Sequence, residues 1–305
     1  MSAARGARAL VVASYGRHYV VRLPDGTTLA AVTRGKRGDV GVGDHANVAA
    51  LGAGQAVIDA IEARRNTFKR SDAFRAKLLA ANVDQVAVVI AAHPPFSEEL
   101  LLRVLVAAEA EGIAAALVVN KSDLAEERAG IETRVAAYRA LGYPVFDCAA
   151  KAAPDATRAA LTPWLAGRTT LLLGQSGMGK STLVNCLVPD ASLRTQAISE
   201  ALASGRHTTT FTRMFELPGG GAIIDSPGFQ TFGLEHLSDS ERVHAMPEFR
   251  ERLGRCRFSN CTHRDEPGCA LRAAAASGEI DARRYQLFTR LVEEARLAAR
   301  AGSRR

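Results

Sequence analysis

The amino-acid sequence predicts a multidomain protein with a small β-barrel, an α/β domain built on a doubly wound sheet, and a short, mainly helical C-terminal module. Three segments with different sequence patterns lead to this prediction. Residues 1–68 alternate short β-rich runs with turn signals, residues 69–233 alternate continuous apolar runs with helical periodicity, and residues 234–305 are polar and irregular. With 305 residues, 47% of them hydrophobic, the chain is long enough for two or three cores.

The N-terminal segment has the pattern of a barrel of short strands. A hairpin turn at Pro24-Asp25-Gly26 and a glycine-rich basic loop at 35–43 separate its β-rich runs, which cover residues 9–14, 18–23, 28–33 and 45–49. Four or five short strands at this spacing are typical of an OB-fold, which often binds nucleic acid. We therefore predict an OB-fold barrel over residues 1–68.

The central segment has the pattern of a parallel sheet covered by helices. Residues 83–92 and 114–119 are continuous apolar runs, as expected for strands buried on both faces. Between them, residues 97–111 carry apolar side chains at helical spacing, with Ser97 as the predicted N-cap. A helix near 131–141 and strands near 144–147, 169–173 and 222–225 follow. This alternation predicts an α/β domain over residues 69–233.

A phosphate-binding loop lies in the central segment. The sequence GQSGMGKST fits the pattern G-x-x-x-x-G-K-[ST], and it follows an apolar run and precedes a helical one. Its backbone N–H groups are expected to surround phosphate oxygens, Lys180 to reach the β- and γ-phosphates, and Ser181 to bind magnesium. The predicted phosphate-binding residues are Gly174, Gln175, Ser176, Gly177, Met178, Gly179, Lys180, Ser181 and Thr182.

A guanine-reading motif precedes this loop. Asn120-Lys121-Ser122-Asp123 follows a predicted buried strand and matches the N-K-x-D motif of GTPases. Asp123 would accept hydrogen bonds from the guanine ring N–H and amine, Asn120 would fix the loop, and the stem of Lys121 would cover the ring. Alone, the four residues could form an exposed turn; together with the phosphate loop they predict a GTPase. Ala149-Ala150-Lys151 is a weaker candidate for a base-supporting loop.

Two further motifs indicate a nucleotide switch. Asp225-Ser226-Pro227-Gly228 resembles D-x-P-G, in which Asp225 would hold magnesium through water and the Gly228 N–H would sense the γ-phosphate. The segment GRHTTT at 205–210 lies where the first switch belongs, and Thr208 or Thr209 would complete the magnesium shell.

The residue that orients the attacking water is not obvious. Phe229 stands where many GTPases keep a glutamine, and its ring cannot perform that task. We hypothesise that His207 is the catalytic residue that positions the water, because it is the nearest suitable polar group in the first switch. A purely structural histidine is the alternative.

The C-terminal module carries the spacing C-x4-C-x-H-x5-C at Cys256, Cys261, His263 and Cys269. Three thiolates and one imidazole complete a tetrahedral zinc shell with no open position, so we predict one structural zinc site. Unligated buried cysteines are the alternative. Cys148 and Cys186 are interpreted as ordinary buried residues.

Charge is distributed unevenly along the chain. Lys and Arg against Asp and Glu number 12 and 6 in residues 1–75, 13 and 16 in 76–235, and 14 and 10 in 236–305, which gives +6, −3 and +4. Basic outer modules could bind a polyanion, or their charges could only keep the protein soluble. No apolar run approaches the roughly 20 residues that cross a bilayer, so we predict a cytoplasmic protein without membrane contact and, most simply, a monomer.

In this order the motifs resemble those of the bacterial ribosome small-subunit-dependent GTPases, a circularly permuted family. The resemblance rests on VVASYGRHYVV, TRGK, RSDAFRAKLLAANVDQV, NKSD, GQSGMGKST, GRHTTT, DSPGF and CRFSNCTHRDEPGCA. It implies an OB-fold, a zinc module and a late maturation factor that binds the small ribosomal subunit and its rRNA. It also implies slow GTP hydrolysis that the subunit stimulates. The Ala149-Ala150-Lys151 loop departs from the usual S-A-K, and TRGK is a variant of the family's PRGK.

Three rival interpretations remain at this stage. A permuted GTPase serving the large subunit is disfavoured by the barrel and the zinc module. A metabolic kinase is disfavoured because Asn120 and Asp123 match a guanine site. An RNA-binding protein timed by nucleotide, in which hydrolysis matters little, is the third.

Overall fold

A computed structural model of the chain describes residues 6–35, 38–71, 76–189, 191 and 211–302. None of the helices within these ranges combines the length and the apolar character needed to cross a membrane.

Five N-terminal strands close into a barrel, as the sequence predicted. Each strand pairs with its neighbours in the order β1-β2-β3-β5-β4 and β4 returns to β1, with only the β3–β5 pair parallel. This closed order is that of an OB-fold. Val11, Val21 and Ile58 are fully buried inside it. The strands are β1 (Ala7–Tyr15), β2 (His18–Arg22), β3 (Thr28–Thr33), β4 (His45–Gly52) and β5 (Gln55–Ile61).

The central segment forms the predicted α/β domain. Its sheet has the order β10-β9-β8-β11-β13-β12, parallel except for β12. The strands are β8 (Gln85–Ile90), β9 (Ala114–Val119), β10 (Val145–Asp147), β11 (Thr169–Leu173), β12 (Thr212–Glu216) and β13 (Ala222–Asp225). The helices are α1 (Glu98–Ala110), α2 (Ala125–Ala140), α3 (Pro154–Leu165) and α4 (Lys180–Leu187).

Several elements of this domain differ from the sequence-based expectation. The side chain of Ser97 does cap α1, accepting a hydrogen bond from the Leu100 N–H. Helix α2 begins at Ala125, six residues earlier than predicted. It includes Gly130, although a glycine inside a helix costs about 1 kcal/mol. Helix α3, which has Pro154 in its first turn, and strand β12 were not predicted from the sequence.

A two-stranded hairpin joins the barrel to the α/β domain. It consists of β6 (Thr67–Ser71) and β7 (Ala76–Ala81). Ser71 exchanges two backbone hydrogen bonds with Gly233, at 3.0 and 3.1 Å, and the ring of Phe68 packs on that of Phe232. The hairpin therefore rests on the segment that follows the DSPG motif.

The barrel and the α/β domain share one continuous sheet. Strand β1 pairs with β12 in antiparallel fashion, with Ala13 opposite Arg213 and Ser14 opposite Thr212. Arg22 of the barrel adds an ion pair to Glu216, at 2.7 Å. This junction joins the barrel directly to the strand that follows the predicted first switch.

The C-terminal module is mainly helical, as predicted, and packs on the α/β domain. Helix α7 contacts α1, where the nearly buried carboxylate of Glu98 binds both Arg134 of α2 and Arg283 of α7. A second buried ion pair joins Arg284 to Glu248 at 2.6 Å. The elements are α5 (Asp239–His244), a 3₁₀ helix (Pro247–Arg252), α6 (Ala270–Ser277) and α7 (Ala282–Gly302).

Candidate functional site

Three of the predicted motifs meet at one edge of the sheet. The NKSD segment follows β9, the glycine-rich loop follows β11, and Asp225 ends β13. Because these strands are parallel, their carboxyl ends lie side by side. A cavity of about 940 Å³ opens there, and its lining includes Lys121, Gly179, Lys180, Ser181, Asp225 and Gly228.

The glycine-rich loop is folded around the ammonium group of Lys180. This group donates hydrogen bonds to the carbonyls of Gly174, at 2.7 Å, and Gln175, at 3.0 Å. Burial lowers the pKa of Lys180, and the nearby Asp225 acts in the opposite direction. The side chain of Gln175 accepts a hydrogen bond from the Ser97 N–H at 2.6 Å, which ties the loop to the start of α1. The loop is therefore held in shape at the start of α4, where a helix N-terminus favours phosphate.

Asn120 connects the guanine motif to the phosphate loop. Its Nδ2 donates to the Met178 carbonyl at 3.0 Å, and its Oδ1 accepts from the Ala150 N–H at 3.2 Å. Gly179 has a φ of +88°, and a Cβ there would lie 2.3 Å from Asn120 Nδ2. Only glycine fits this close approach. The 149–151 loop, the weakest sequence signal, thus lies directly beside the guanine motif.

Lys121 and Ser122 of the guanine motif are also held by hydrogen bonds to backbone carbonyls. Lys121 has a φ of +60° and donates from Nζ to the His93 carbonyl at 2.8 Å. The Ser122 N–H donates to the Cys148 carbonyl at 3.0 Å, and Asp123 is exposed. The contact with His93 was not foreseen, because a backbone carbonyl after β8 leaves no mark in the sequence.

Asp225 has the properties of a ligand for a hard cation. Its Oδ1 atom is buried and has no hydrogen-bond partner among the described residues. Burial raises the pKa of Asp225 to about 6, although the neighbouring Lys180 acts to lower it. A carboxylate oxygen without a partner, in a cavity that also contains Ser181, fits magnesium, which prefers oxygen ligands.

The segment after Asp225 lies against the phosphate loop. A Cβ on Gly228 would be 3.1 Å from Lys180 Nζ, and Phe229 forms a β-bridge with Gln175. The Phe229 ring is buried against Phe232, with the two ring centroids 5.3 Å apart. It is thus a packing residue.

The first switch cannot be placed against this geometry. His207, Thr208 and Thr209 lie outside the residues that the structure describes. Their roles stay predictions.

The C-terminal cluster forms a second site. The ligand atoms of Cys256, Cys261, His263 and Cys269 all lie within 4.8 Å of one another. The Sγ of Cys269 also caps α6, and the Tyr285 hydroxyl donates to the His263 carbonyl at 2.8 Å. Four sulfur and nitrogen ligands so close together fit a tetrahedral shell around zinc, whose bonds to sulfur are about 2.3 Å.

The fold and the site define a class of protein. A parallel sheet that carries N-K-x-D, then the phosphate loop, then D-x-P-G at its carboxyl edge is that of a P-loop GTPase in circularly permuted order.

Comparison with known proteins identifies the family. The model of the RsgA GTPase family matches residues 61–235. Two relatives carry the name Small ribosomal subunit biogenesis GTPase RsgA. That of Paraburkholderia xenovorans is 53% identical over 94% of this chain and 92% of its own length, and that of Ralstonia pickettii is 49% identical over 96% and 94%. The chain belongs to the RsgA GTPase family and is a GTPase.

Two solved structures have the same fold. YjeQ from Thermotoga maritima matches with a TM-score of 0.72 and 27% identity, covering 96% of this chain and 99% of its own. YloQ, described as a circularly permuted GTPase, matches with a TM-score of 0.67 and 26% identity, covering 95% of each chain.

Proposed function

We propose that the protein is a late assembly factor of the small ribosomal subunit, which binds rRNA and hydrolyses GTP when it engages the subunit. The observation that carries this proposal is the whole-length similarity to relatives that are named as small ribosomal subunit biogenesis GTPases. The protein would act in the cytoplasm, as a monomer.

The three proposed modules would have different functions. Residues 1–68 and 234–305 would bind the subunit, and residues 69–233 would bind and hydrolyse GTP. The excess of basic over acidic residues in the first and last segments supports contact with rRNA phosphates. The chain has few aromatic residues, 6%, so shape and backbone contacts are expected to dominate over base stacking.

The residues around the cavity would bind GTP and orient it for hydrolysis. Asp123 would select guanine, and the loop 174–182 with Lys180 would hold the β- and γ-phosphates. Ser181, Asp225 and one of Thr208 and Thr209 would bind magnesium, which supplies positive charge against the charge that develops on the phosphates. The Gly228 N–H would report the presence of the γ-phosphate.

His207 is proposed to orient the attacking water, because Phe229 is buried and apolar. The substitution His207→Ala is expected to lower the GTP hydrolysis rate about 100-fold, in the range typical of acid–base or water-positioning groups. Affinity for GTP and GDP should change less than threefold. Single-turnover hydrolysis and nucleotide titration measure the two quantities. Unchanged hydrolysis at unchanged affinity would leave His207 with a structural role only.

A GTPase assay with isolated ribosomal subunits tests the proposed function as a whole. We expect the small subunit to raise the steady-state rate by at least tenfold, while the large subunit leaves it unchanged. Stimulation by the small subunit should weaken steeply between 50 and 200 mM salt, roughly the range over which phosphate contacts are screened. Stimulation by the large subunit alone would contradict the assignment.

A further inference from the structure

Arg213 of β12 is a buried cation without an acidic partner among the described residues. Only 3% of the residue is exposed, and its Nη1 atom has no hydrogen-bond partner in that part of the chain. Burial lowers its pKa, and the nearby Tyr15 acts in the opposite direction. Burying a charged group without a counter-charge is costly, so a position of this kind favours an anion that the described residues do not supply.

The guanidinium group is held in place by aromatic residues, one of which belongs to the barrel. Its Nη2 donates to the hydroxyl of Tyr15 on β1 at 3.2 Å. The guanidinium carbon lies 6.0 and 5.6 Å from the ring centroids of Phe211 and Phe215. Tyr15 in turn stacks on Phe211, with the two ring centroids 5.1 Å apart. These contacts fix the arginine without neutralising it.

Arg213 lines the nucleotide cavity from the same face of the sheet as Asp225. Arg213 is directly opposite Asp225 in the β12–β13 pair, so the two side chains leave the same face of the sheet. Both residues line the 940 Å³ cavity, together with Lys180 and Ser181. The Oδ1 of Asp225 also has no hydrogen-bond partner in the described chain. Two groups of opposite charge, neither fully hydrogen-bonded within the described chain, thus lie at the wall of the same cavity.

The sheet order places Arg213 at the phosphate end of the cavity. The guanine motif follows β9, which is four strand steps from β12, roughly 19 Å at the usual strand spacing. The phosphate loop follows β11, and Asp225 ends the next strand, β13. Arg213 therefore lies beyond the phosphate loop, on the far side from the base, next to the proposed magnesium ligand.

We propose that Arg213 is a further phosphate-binding residue of the GTP site, which contacts the terminal phosphate and is positioned by Tyr15 of the barrel. This inference rests on the proposed binding of GTP in this cavity. It adds a cation to the site that no sequence motif contains. It also makes the affinity for the terminal phosphate depend on how the barrel packs against β12.

Nucleotide affinities of the full-length protein test this role. We expect Arg213→Gln to weaken binding of a non-hydrolysable GTP analogue, with magnesium, by about 10- to 100-fold, since charge-assisted bonds to phosphate are strong. GDP affinity should change less than threefold. Arg213→Lys should lie between wild type and Arg213→Gln, because it keeps the charge and loses the planar fork. Tyr15→Phe, which keeps the ring, should lower the affinity for the analogue by a few-fold and leave the affinity for GDP unchanged.

Arg22→Gln is the matched control. It removes an arginine from the same barrel–β12 junction. The ion pair of Arg22 with Glu216 is partly exposed to solvent and contributes little to the packing of the barrel on β12, so both affinities should be unchanged. Equal losses for GDP and the analogue, or no loss, in Arg213→Gln would overturn the proposal. If that variant does not fold in a thermal melt, unchanged analogue affinity in both Arg213→Lys and Tyr15→Phe would overturn it instead. Failure of the wild type to bind GTP would contradict the proposed function itself.

Discussion

Chelation of the proposed structural zinc is expected to unfold the segment around the Cys/His cluster of the full-length protein, while the barrel and the α/β sheet stay folded. The segment 253–269 has no regular helix or strand, and few of its side chains are buried. Its four ligands instead link it to the start of α6 and, through Tyr285, to α7. Structural zinc contributes about 10 kcal/mol or more in small zinc modules, so the loss of local stability should be several kcal/mol.

Metal analysis and thermal unfolding check this expectation. The isolated protein should contain one zinc per chain, and chelation or Cys261→Ser should remove it and add an early unfolding transition. Cys186→Ser is the control, because Cys186 lies on α4, outside the cluster. It should keep the zinc. A protein that contains no zinc and melts identically after Cys261→Ser would contradict the metal site.

Replacement of Asp225 by asparagine is expected to abolish magnesium-dependent GTP hydrolysis and yet stabilise the ligand-free protein. The carboxylate of Asp225 has a pKa raised to about 6 by burial, from an ordinary value of 3.8. A raised pKa means that the folded state binds the proton more tightly, so folding stability falls as the pH rises from about 4 to above 6. At pH 7 the neutral amide should therefore increase the free energy of unfolding by about 1–3 kcal/mol.

Denaturant unfolding at two pH values tests this account of Asp225. The stability difference between Asp225→Asn and wild type should be largest at pH 7 and should nearly vanish at pH 4, where both side chains are neutral. Asp123→Asn is the matched control, because Asp123 is exposed. It should impair GTP binding while leaving stability within about 0.5 kcal/mol. A destabilised Asp225→Asn protein at pH 7 would contradict the buried, unpartnered state of this carboxylate.

Much of the nucleotide site could be predicted from local sequence. The glycine-rich loop, NKSD and DSPG each follow an apolar strand, and their chemistry depends on residues adjacent in the chain. That they lie close together could also be predicted, because the carboxyl ends of parallel strands lie at the same edge of the sheet. The reversed order of the motifs does not disturb this, because strands β9, β11 and β13 take their places in the sheet through pairing and not through chain order.

Other features were visible only after the chain had folded. The loop at 149–151 lies beside the guanine motif, as the hydrogen bond between Ala150 and Asn120, 30 residues apart, shows. Strand β12 could not be predicted from the sequence pattern, because its residues TRMFE do not alternate cleanly between polar and apolar.

The sequence by itself therefore determined the class of chemistry, and it predicted the guanine contacts, the metal ligands and the three modules along the chain. The tertiary structure alone decided which side chains from distant segments face one another, above all Arg213 against Asp225 and Tyr15. The physical reason is that motifs are short-range patterns, whereas strand pairing joins residues that are far apart in the chain. Such pairing leaves no mark in the local sequence of either partner.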